Sequence, residues 1–124
     1  MEKPSILVVD DDRDVLDLAE FFFREAGHQV HCVESGQKAL EKIRDSRFTV
    51  MLTDYNMPGM DGVELAERAR KISPELFIVM ATGHPSRELS NLAAKAGIVK
   101  VFAKPLRLES LLNLIIEMIP PTSF

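Results

Sequence analysis

The amino-acid sequence predicts an α/β fold in which five parallel strands form one sheet with helices on both faces. Short apolar runs alternate five times with longer segments whose apolar residues recur at helical spacing. The links are short, and right-handed crossovers then restrict the topology to a doubly wound sheet with strand order 2-1-3-4-5. With 124 residues, 46% of them hydrophobic, we expect one domain spanning residues 1–124.

The first half of the chain predicts three strands and two helices. Runs rich in β-branched residues predict the strands, at Ser5–Val9, His28–Val33 and Thr49–Thr53. The first helix is capped by Asp12 and ends at Gly27. Its inward apolar stripe is predicted to contain Val15, Leu16, Leu18, Ala19, Phe22 and Phe23. The second helix opens at Ser35-Gly36 and turns Ala39, Leu40 and Ile43 inward.

The second half predicts two further strands and three helices. The strands are expected at Leu76–Ala81 and Ile98–Ala103. Asp61-Gly62 opens the third helix, which ends near Ile72 before Pro74. The fourth helix is predicted over Ser86–Ala96 and the last over Leu108–Ile119, closed by Pro120-Pro121. Their inward residues are predicted to be Leu89, Leu92 and Ala93 in the fourth helix, and Leu111, Leu112, Ile115 and Ile116 in the last.

Composition and charge argue against several classes of protein. The formal net charge is −4 and the basic residues are scattered, so we expect no direct binding of nucleic acid. The single cysteine, Cys32, cannot form an internal disulfide, which favours a reducing compartment. No apolar run approaches the ~18 residues of a membrane span. We therefore expect a cytoplasmic protein without a membrane partner.

Polar side chains follow four of the predicted strands. Asp10-Asp11 follows the first, Asp54 the third, Thr82 the fourth and Lys104 the fifth. The carboxyl ends of parallel strands share one rim of the sheet, where ligands bind. Three converging carboxylates would repel one another, so a hard divalent cation is expected, with Mg²⁺ preferred and Mn²⁺ as the alternative. Together with Lys104 and the Thr82 hydroxyl, such a site would make one carboxylate nucleophilic toward phosphorus.

Each of these residues also has a simpler interpretation. An aspartate after a strand can start a turn, and Asp10 and Asp11 could cap a helix, as Asp12 is expected to do. Thr82-Gly83 could be only a turn, and most lysine side chains in folded proteins are exposed to solvent. The combination of these residues at four strand ends favours a site.

The pieces of sequence at these strand ends resemble response-regulator receiver domains, the CheY-like phosphoacceptor modules of two-component signalling. The matching pieces are Val8-Val9-Asp10-Asp11, Asp54-Tyr55-Asn56-Met57-Pro58-Gly59-Met60-Asp61-Gly62, Ala81-Thr82-Gly83 and Lys104-Pro105. The resemblance covers essentially the whole chain. It implies a flavodoxin-like (βα)₅ fold and a signalling domain that catalyses only its own phosphorylation and dephosphorylation.

The resemblance also implies the role of each site residue. Asp54 would accept a phosphoryl group from a phosphohistidine of a sensor histidine kinase or phosphotransfer protein. Asp11 would bind the metal directly, Asp10 through water, and the backbone carbonyl of Asn56 would complete the protein ligands, together with Asp54. Thr82 and Lys104 would hold the phosphoryl oxygens, and Lys104-Pro105 would be a cis peptide.

Signalling in such a domain is expected to pass through a conformational change to a downstream protein or effector domain. The face formed by the fourth helix, fifth strand and fifth helix is the expected output surface. The protein would be a monomer or a weak phosphorylation-dependent dimer. Receivers usually carry Tyr or Phe three residues before the lysine, but here that residue is Val101, and Phe102 follows it. Since neighbouring strand residues face opposite sides, Phe102 cannot replace the missing ring without a register change.

Other classes of function remain as alternatives. A flavodoxin-like cofactor-binding protein would need a Gly-, Ser- or Thr-rich loop after the first strand, where this chain has Asp10-Asp11-Asp12. A degenerate receiver could serve only as an interaction scaffold, although all five site residues are present. A Mg²⁺-dependent phosphatase would turn over an external phosphoester.

Overall fold

The computed structural model describes residues 4–118 and contains the predicted parallel sheet. Its strands are β1 (Ser5–Val9), β2 (Gln29–Val33), β3 (Val50–Asp54), β4 (Phe77–Thr82) and β5 (Ile98–Ala103). Neighbouring strands pair in parallel in the order β2-β1-β3-β4-β5. The predicted α/β fold and strand order are confirmed.

Five helices connect and follow these strands. They are α1 (Arg13–Glu25), α2 (Gly36–Asp45), α3 (Gly62–Ile72), α4 (Arg87–Lys95) and α5 (Leu108–Met118). The predicted cap of α1 is confirmed, because the Asp12 carboxylate accepts a hydrogen bond from the backbone N–H of Asp14. The predicted end of α5 at Ile119 and the closing Pro120-Pro121 lie outside the described residues.

The core has two layers, one on each face of the sheet. Leu7, Met51 and Met80 pack against the inner faces of α2, α3 and α4. Ile6, Leu52 and Val79 pack on the opposite face against α1 and α5. This division follows from the alternation of strand side chains. Successive residues along a strand therefore contact different groups of helices in turn.

Several predicted boundaries were wrong by one residue. β2 begins at Gln29 rather than His28, β3 spans Val50–Asp54 rather than Thr49–Thr53, and β4 spans Phe77–Thr82 rather than Leu76–Ala81. α4 spans Arg87–Lys95, with Ser86 as its N-cap rather than its first residue. The ladder between β3 and β4 continues to the pairs Asp54–Ala81 and Thr53–Met80. Asp54 and Thr82 therefore belong to the strands themselves, which fixes their backbones.

The predicted inward faces of three helices were too wide. Leu18 on α1, Leu92 on α4 and Ile116 on α5 are exposed, and Val15 is exposed at the edge of α1. The fully covered residues form narrower stripes, such as Leu16, Ala19 and Phe23 on α1. Among residues 4–118, no helix combines the length and the apolar character needed to cross a membrane.

Candidate functional site

The carboxyl ends of β1, β3, β4 and β5 bring the predicted site residues to one rim of the sheet. Asp10 directly follows β1, Asp54 and Thr82 are the last residues of β3 and β4, and Lys104 directly follows β5. β1 lies between β2 and β3, so the chain changes direction across the sheet at this point. In open α/β sheets, ligands bind at such a switch point.

Three carboxylates converge at this rim. One oxygen from each of Asp10, Asp11 and Asp54 lies within 4.8 Å of the other two. Asp10 is only 4% exposed and Asp54 7%, whereas Asp11 is open to solvent. The Asp10 Oδ1 atom also accepts a hydrogen bond of 2.9 Å from the backbone N–H of Asp12. Two of the three charges are thus held in place and largely removed from water.

Lys104 supplies the opposite charge. Its Nζ atom lies 2.9 Å from Asp54 Oδ1 and 3.6 Å from Asp10 Oδ2. Burial lowers the pKa of this ammonium, but the hydrogen bond to Asp54 and the negative charges of Asp10 and Asp54 outweigh burial and raise the pKa. Lys104 therefore stays positively charged and forms a bridge between the two buried carboxylates.

The charge on Asp10 remains only partly compensated. Burial is the largest cause that raises the pKa of Asp10, and the charges of Asp54 and Asp11 add to it. The hydrogen bond from Asp12 and the charge of Lys104 lower the pKa but do not offset these effects. Three carboxylates with one ammonium leave an excess of negative charge, and carboxylate oxygens are the ligands that hard divalent cations prefer. The donor set fits such a cation.

Thr82 lies beside this cluster with its backbone and side chain both engaged. It is 1% exposed, and its Oγ1 atom accepts a hydrogen bond of 3.1 Å from the backbone N–H of His84. Its carbonyl accepts a hydrogen bond of 2.8 Å from the backbone N–H of Lys104. The hydroxyl still has its own proton to donate. The peptide bond between Lys104 and Pro105 is cis.

The loop after β3 is positioned by close backbone packing. The N–H of Tyr55 donates to the Ala81 carbonyl and that of Gly62 donates to the Tyr55 carbonyl, both at 2.9 Å. A Cβ atom on Gly62 would lie 2.5 Å from the Asp54 carbonyl oxygen. Only glycine permits this approach. Asn56, whose backbone carbonyl was predicted as a ligand, lies in this loop with an exposed side chain.

Val101 and Phe102 lie on opposite faces of β5. Val101 pairs with Met80 and packs against the layer that contains α2, α3 and α4. Phe102 pairs with Ala81 and packs against the layer of α1 and α5. A register irregularity in β5 lies between Ile98 and Lys100, before both residues. Phe102 therefore does not occupy the face of Val101.

The sequence did not predict a groove that adjoins the carboxylates. Its walls come from α1 and from the segment after β5, and it has a volume of about 530 Å³. Val15 and Leu18 form one wall, Leu106 and Leu108 the other, and Asp54 and Lys104 lie at one end. The sequence did contain a sign of this groove, because the apolar stripe of α1 is wider than the part of the helix that the sheet covers.

Comparison with known proteins identifies the family. The sequence profile of the response regulator receiver domain family matches residues 6–116. The chain belongs to the response regulator receiver domain family. The receiver protein CpdR of Brucella abortus (strain 2308) is 36% identical over 114 residues, which cover 92% of this chain and 95% of that protein.

Two further relatives place this receiver among proteins of different length. A response regulator receiver protein of Anaeromyxobacter sp. (strain Fw109-5) is 35% identical over 108 residues, which cover 87% of this chain but 45% of that protein. The crystal structure of a CheY-like receiver domain protein from Methanospirillum hungatei JF-1 has a TM-score of 0.88 and 34% identity, and the match covers 93% of this chain and 92% of that one.

Membership of the family establishes the broad class of function. Receiver domains are phosphoacceptor modules of two-component signalling rather than enzymes acting on a separate substrate, and they interact with histidine kinases. The acidic cluster of Asp10, Asp11 and Asp54 is typical of the divalent-metal site of receivers.

Proposed function

We propose that Asp54 accepts a phosphoryl group from the phosphohistidine of a histidine kinase or phosphotransfer protein, in a reaction that requires Mg²⁺. The observation that carries this proposal is the position of Lys104 Nζ, 2.9 Å from Asp54 and 3.6 Å from Asp10 within the acidic cluster. Asp54 lies at the end of the buried strand β3, and its charged neighbours are the buried Asp10 carboxylate and the Lys104 ammonium.

The residues divide the work of phosphoryl transfer among them. An Asp54 carboxylate oxygen forms the new bond to phosphorus while the bond from phosphorus to the imidazole nitrogen breaks. Lys104 exchanges part of its contact with Asp54 for a phosphoryl oxygen, and Thr82 donates its hydroxyl proton to another. Mg²⁺, when held by Asp10, Asp11, Asp54 and the Asn56 carbonyl, supplies positive charge for the crowded anions.

The output surface that we propose is the face of α4, β5 and α5. Each of these elements exposes a large apolar side chain, namely Leu92, Val99 and Ile116. Exposed apolar residues on adjoining elements favour a protein partner or a weak dimer. We further propose that the protein acts in the cytoplasm and that residues 1–124 form a single receiver domain.

Phosphorylation of Asp54 can be tested by intact mass. The protein is incubated with acetyl phosphate and Mg²⁺, and one phosphoryl group should be added. Asp54→Asn should prevent this addition, whereas Asp45→Asn, at an exposed position at the end of α2, is the matched control and should not. Chelation of the metal should stop the reaction in the unaltered protein. Equal labelling of Asp54→Asn, or labelling without any divalent cation, would contradict the proposal.

A further inference from the structure

A second groove lies between the ends of α3 and α4, at the opposite rim of the sheet from the acidic cluster. α3 begins at Gly62 against Asp54, and α4 begins after the loop that follows Thr82, so both helices end at the rim where the strands start. The groove has a volume of about 590 Å³. Apart from Ala96, its lining residues are all charged, and they are Glu64, Glu67, Arg68, Arg70, Lys71 and Lys95. We call this space the basic groove.

Three cations of the basic groove have no counter-ion. Arg68 Nη2 lies 2.8 Å from Glu64 Oε2, so these two charges neutralise each other. Arg70, Lys71 and Lys95 are exposed, and none of them forms an ion pair with any residue among 4–118. With four basic and two acidic side chains in its lining, the groove has a formal charge of +2 in a chain whose net charge is −4. The basic residues are scattered along the sequence, but the fold gathers these few in one place.

Arg70 is positioned in the basic groove by a contact with Gly97. Gly97 follows α4 with a φ of +91°, a backbone conformation that favours glycine. An added Cβ atom at Gly97 would lie 2.5 Å from both Nε and Nη1 of Arg70, so the guanidinium occupies the space that a side chain would need. The planar set of N–H donors of Arg70 is therefore held against the backbone that follows α4 while it lines the groove.

Compensation of helix dipoles does not account for this arrangement. Basic residues in the last turn of a helix interact favourably with its carboxyl end, as Arg24 does in α1 and Lys42 in α2. In the basic groove, however, Arg70 of α3 lies against the residue that follows α4 rather than against its own helix end. Cations consequently line both walls of one space, which the dipole of a single helix does not require.

The distribution of these cations selects a ligand with two adjacent phosphate groups. α3 supplies Arg70 and Lys71 on one wall and α4 supplies Lys95 on the other, so a ligand that contacts both walls needs more than one anionic group. The guanidinium fork matches the geometry of phosphate oxygens, and lysine binds phosphate as a point charge. Among the lining residues only Ala96 is apolar, so the groove does not suit an apolar ligand.

We propose that the basic groove binds small molecules that contain a diphosphate group, and that Arg70, Lys71 and Lys95 hold this group between α3 and α4. The site lies at the other end of the sheet from Asp54 and does not depend on the role of that residue. The carboxyl ends of both helices have partial negative charge, which disfavours an anion. The basic side chains must therefore supply all of the attraction, and their removal should weaken binding directly.

The expected size of the effect follows from the exposure of these side chains. Because the groove is open to solvent, we expect a Kd on the order of 1 mM at low ionic strength. An exposed ion pair changes affinity by up to about fivefold, and the bidentate contact of an arginine with phosphate lies at the upper end, so Arg70→Gln should raise Kd about fivefold. Glu67 forms no ion pair with residues 4–118 and repels an anion, so Glu67→Gln should lower Kd about twofold. Added salt should weaken binding in every case, because it screens exposed charges.

The test titrates the whole protein with inorganic pyrophosphate and follows backbone amide chemical shifts. Divalent cations are left out because phosphate oxygens bind Mg²⁺, and the three carboxylates of the metal-free acidic cluster then repel anions from the opposite rim. Shift changes should concentrate at Lys71, Ala96 and Gly97 and be absent at Thr82 and Lys104. Orthophosphate, with a single phosphate group, should bind at the same residues about threefold or more weakly.

The variants are compared in the same titration. Arg44→Gln is the matched control for Arg70→Gln, because Arg44 is an exposed arginine in the last turn of α2 that does not line the basic groove. This control should leave Kd unchanged. Glu67→Gln changes an exposed side chain and should tighten binding, so it decides the matter even if Arg70→Gln does not fold.

Several outcomes would overturn the inference. Equal weakening by Arg70→Gln and Arg44→Gln, or shift changes at basic residues all over the surface, would show general attraction of anions rather than a site. Equal affinity for orthophosphate and pyrophosphate would exclude the requirement for two phosphate groups. A glutamate-rich peptide that binds at Lys71 and Gly97 more tightly than pyrophosphate would assign the groove to an acidic segment of a protein instead. None of these results bears on phosphorylation of Asp54, which the mass measurement tests separately.

Discussion

The contact between Gly62 and the phosphoacceptor strand offers a sharp test of how the site is held. Gly62 begins α3, and the alanine variant would place its Cβ atom 2.5 Å from the Asp54 carbonyl oxygen, 2.9 Å from Met80 Sδ and 3.1 Å from Tyr55 Cα. Two of these three atoms are backbone and cannot move alone. Relief therefore requires a shift of the start of α3 relative to the end of β3, which carries Asp54.

The magnitude can be estimated from the contacts. Overpacking of a well-packed region costs about 1–3 kcal/mol, and we expect about 2 kcal/mol for Gly62→Ala because backbone must yield. Unfolding of a 124-residue chain has an entropy that gives about 4 °C in Tm per kcal/mol. Tm should thus fall by about 8 °C. The displaced Asp54 should also weaken Mg²⁺ binding and slow phosphorylation.

Two other glycines serve as matched controls in the same assay. At Gly83, an added Cβ atom meets nothing within 4 Å, so alanine there should raise Tm by about 2–4 °C through the lower entropy of the unfolded chain. At Gly36, the nearest atom is Met60 Sδ at 2.8 Å, the flexible part of a side chain, so the loss should be smaller than at Gly62. Thermal unfolding followed by circular dichroism gives the order of the three variants. A Gly62→Ala protein as stable as Gly83→Ala would refute the packing argument.

Two further predictions concern the acidic cluster and the conformational change on phosphorylation. Burial raises the pKa of the Asp10 carboxyl in the folded protein above its unfolded value of 3.8, so the folded state favours the protonated form. Below pH 3.8 the carboxyl is protonated in both states, and this advantage of the folded state is fully present. It is lost as the pH rises through the folded pKa, where the buried charge destabilises the folded state. Asp10→Asn should therefore raise the Tm of the metal-free protein more at pH 7 than at pH 4. Mg²⁺ should stabilise this variant less than it stabilises the unaltered protein, because one carboxylate of the cluster is lost. Equal Tm differences at the two pH values would contradict this. In the beryllofluoride-bound form, displacement relative to the free form should concentrate in residues 83–87 and on α4 rather than α1, with the Val101 rotamer unchanged. Chemical shifts and crystal structures of both forms can measure this, and a rotamer flip at Val101 or a change of face by Phe102 would show the prediction to be wrong.

The sequence was sufficient to predict which side chains converge at the rim of the sheet, because these residues are tied to strand ends. A short, largely apolar strand that ends at a carboxylate leaves little freedom for that carboxylate's position, and parallel strands end at a common rim. Asp10, Asp54 and Lys104 therefore converge as expected. Boundaries moved by one residue at β3 and β4, because pairing between the strands extends the ladder beyond the apolar run.

The helices were predicted less well, since a sequence shows apolar residues but not which of them the sheet can cover. Leu18 has helical spacing relative to the buried residues of α1, yet it lies on the flank that faces the groove. Leu92 and Ile116 are likewise on the flanks of α4 and α5 and remain exposed. The close contact at Gly62 was also not predicted. A glycine after a turn indicates unusual backbone freedom, but the sequence does not show that the Asp54 carbonyl oxygen approaches it.

The position of Thr82 explains why the conformational change on phosphorylation should pass through the loop between β4 and α4 rather than through β5. Val101 packs behind β4 on the face of α3 and α4, and its branched Cβ makes it stiff and too small to fill the space of an aromatic ring. The ring of Phe102 packs on the other face of the sheet, and Lys100 Nζ lies 5.9 Å from the centroid of this ring. The Thr82 hydroxyl, however, holds the backbone N–H of His84 at 3.1 Å. Movement of Thr82 toward a phosphoryl group would break this bond and release the loop that leads to the N-cap of α4. Since an added Cβ at Gly83 meets no atom within 4 Å, the loop has room to move, and no rearrangement of Val101 is required.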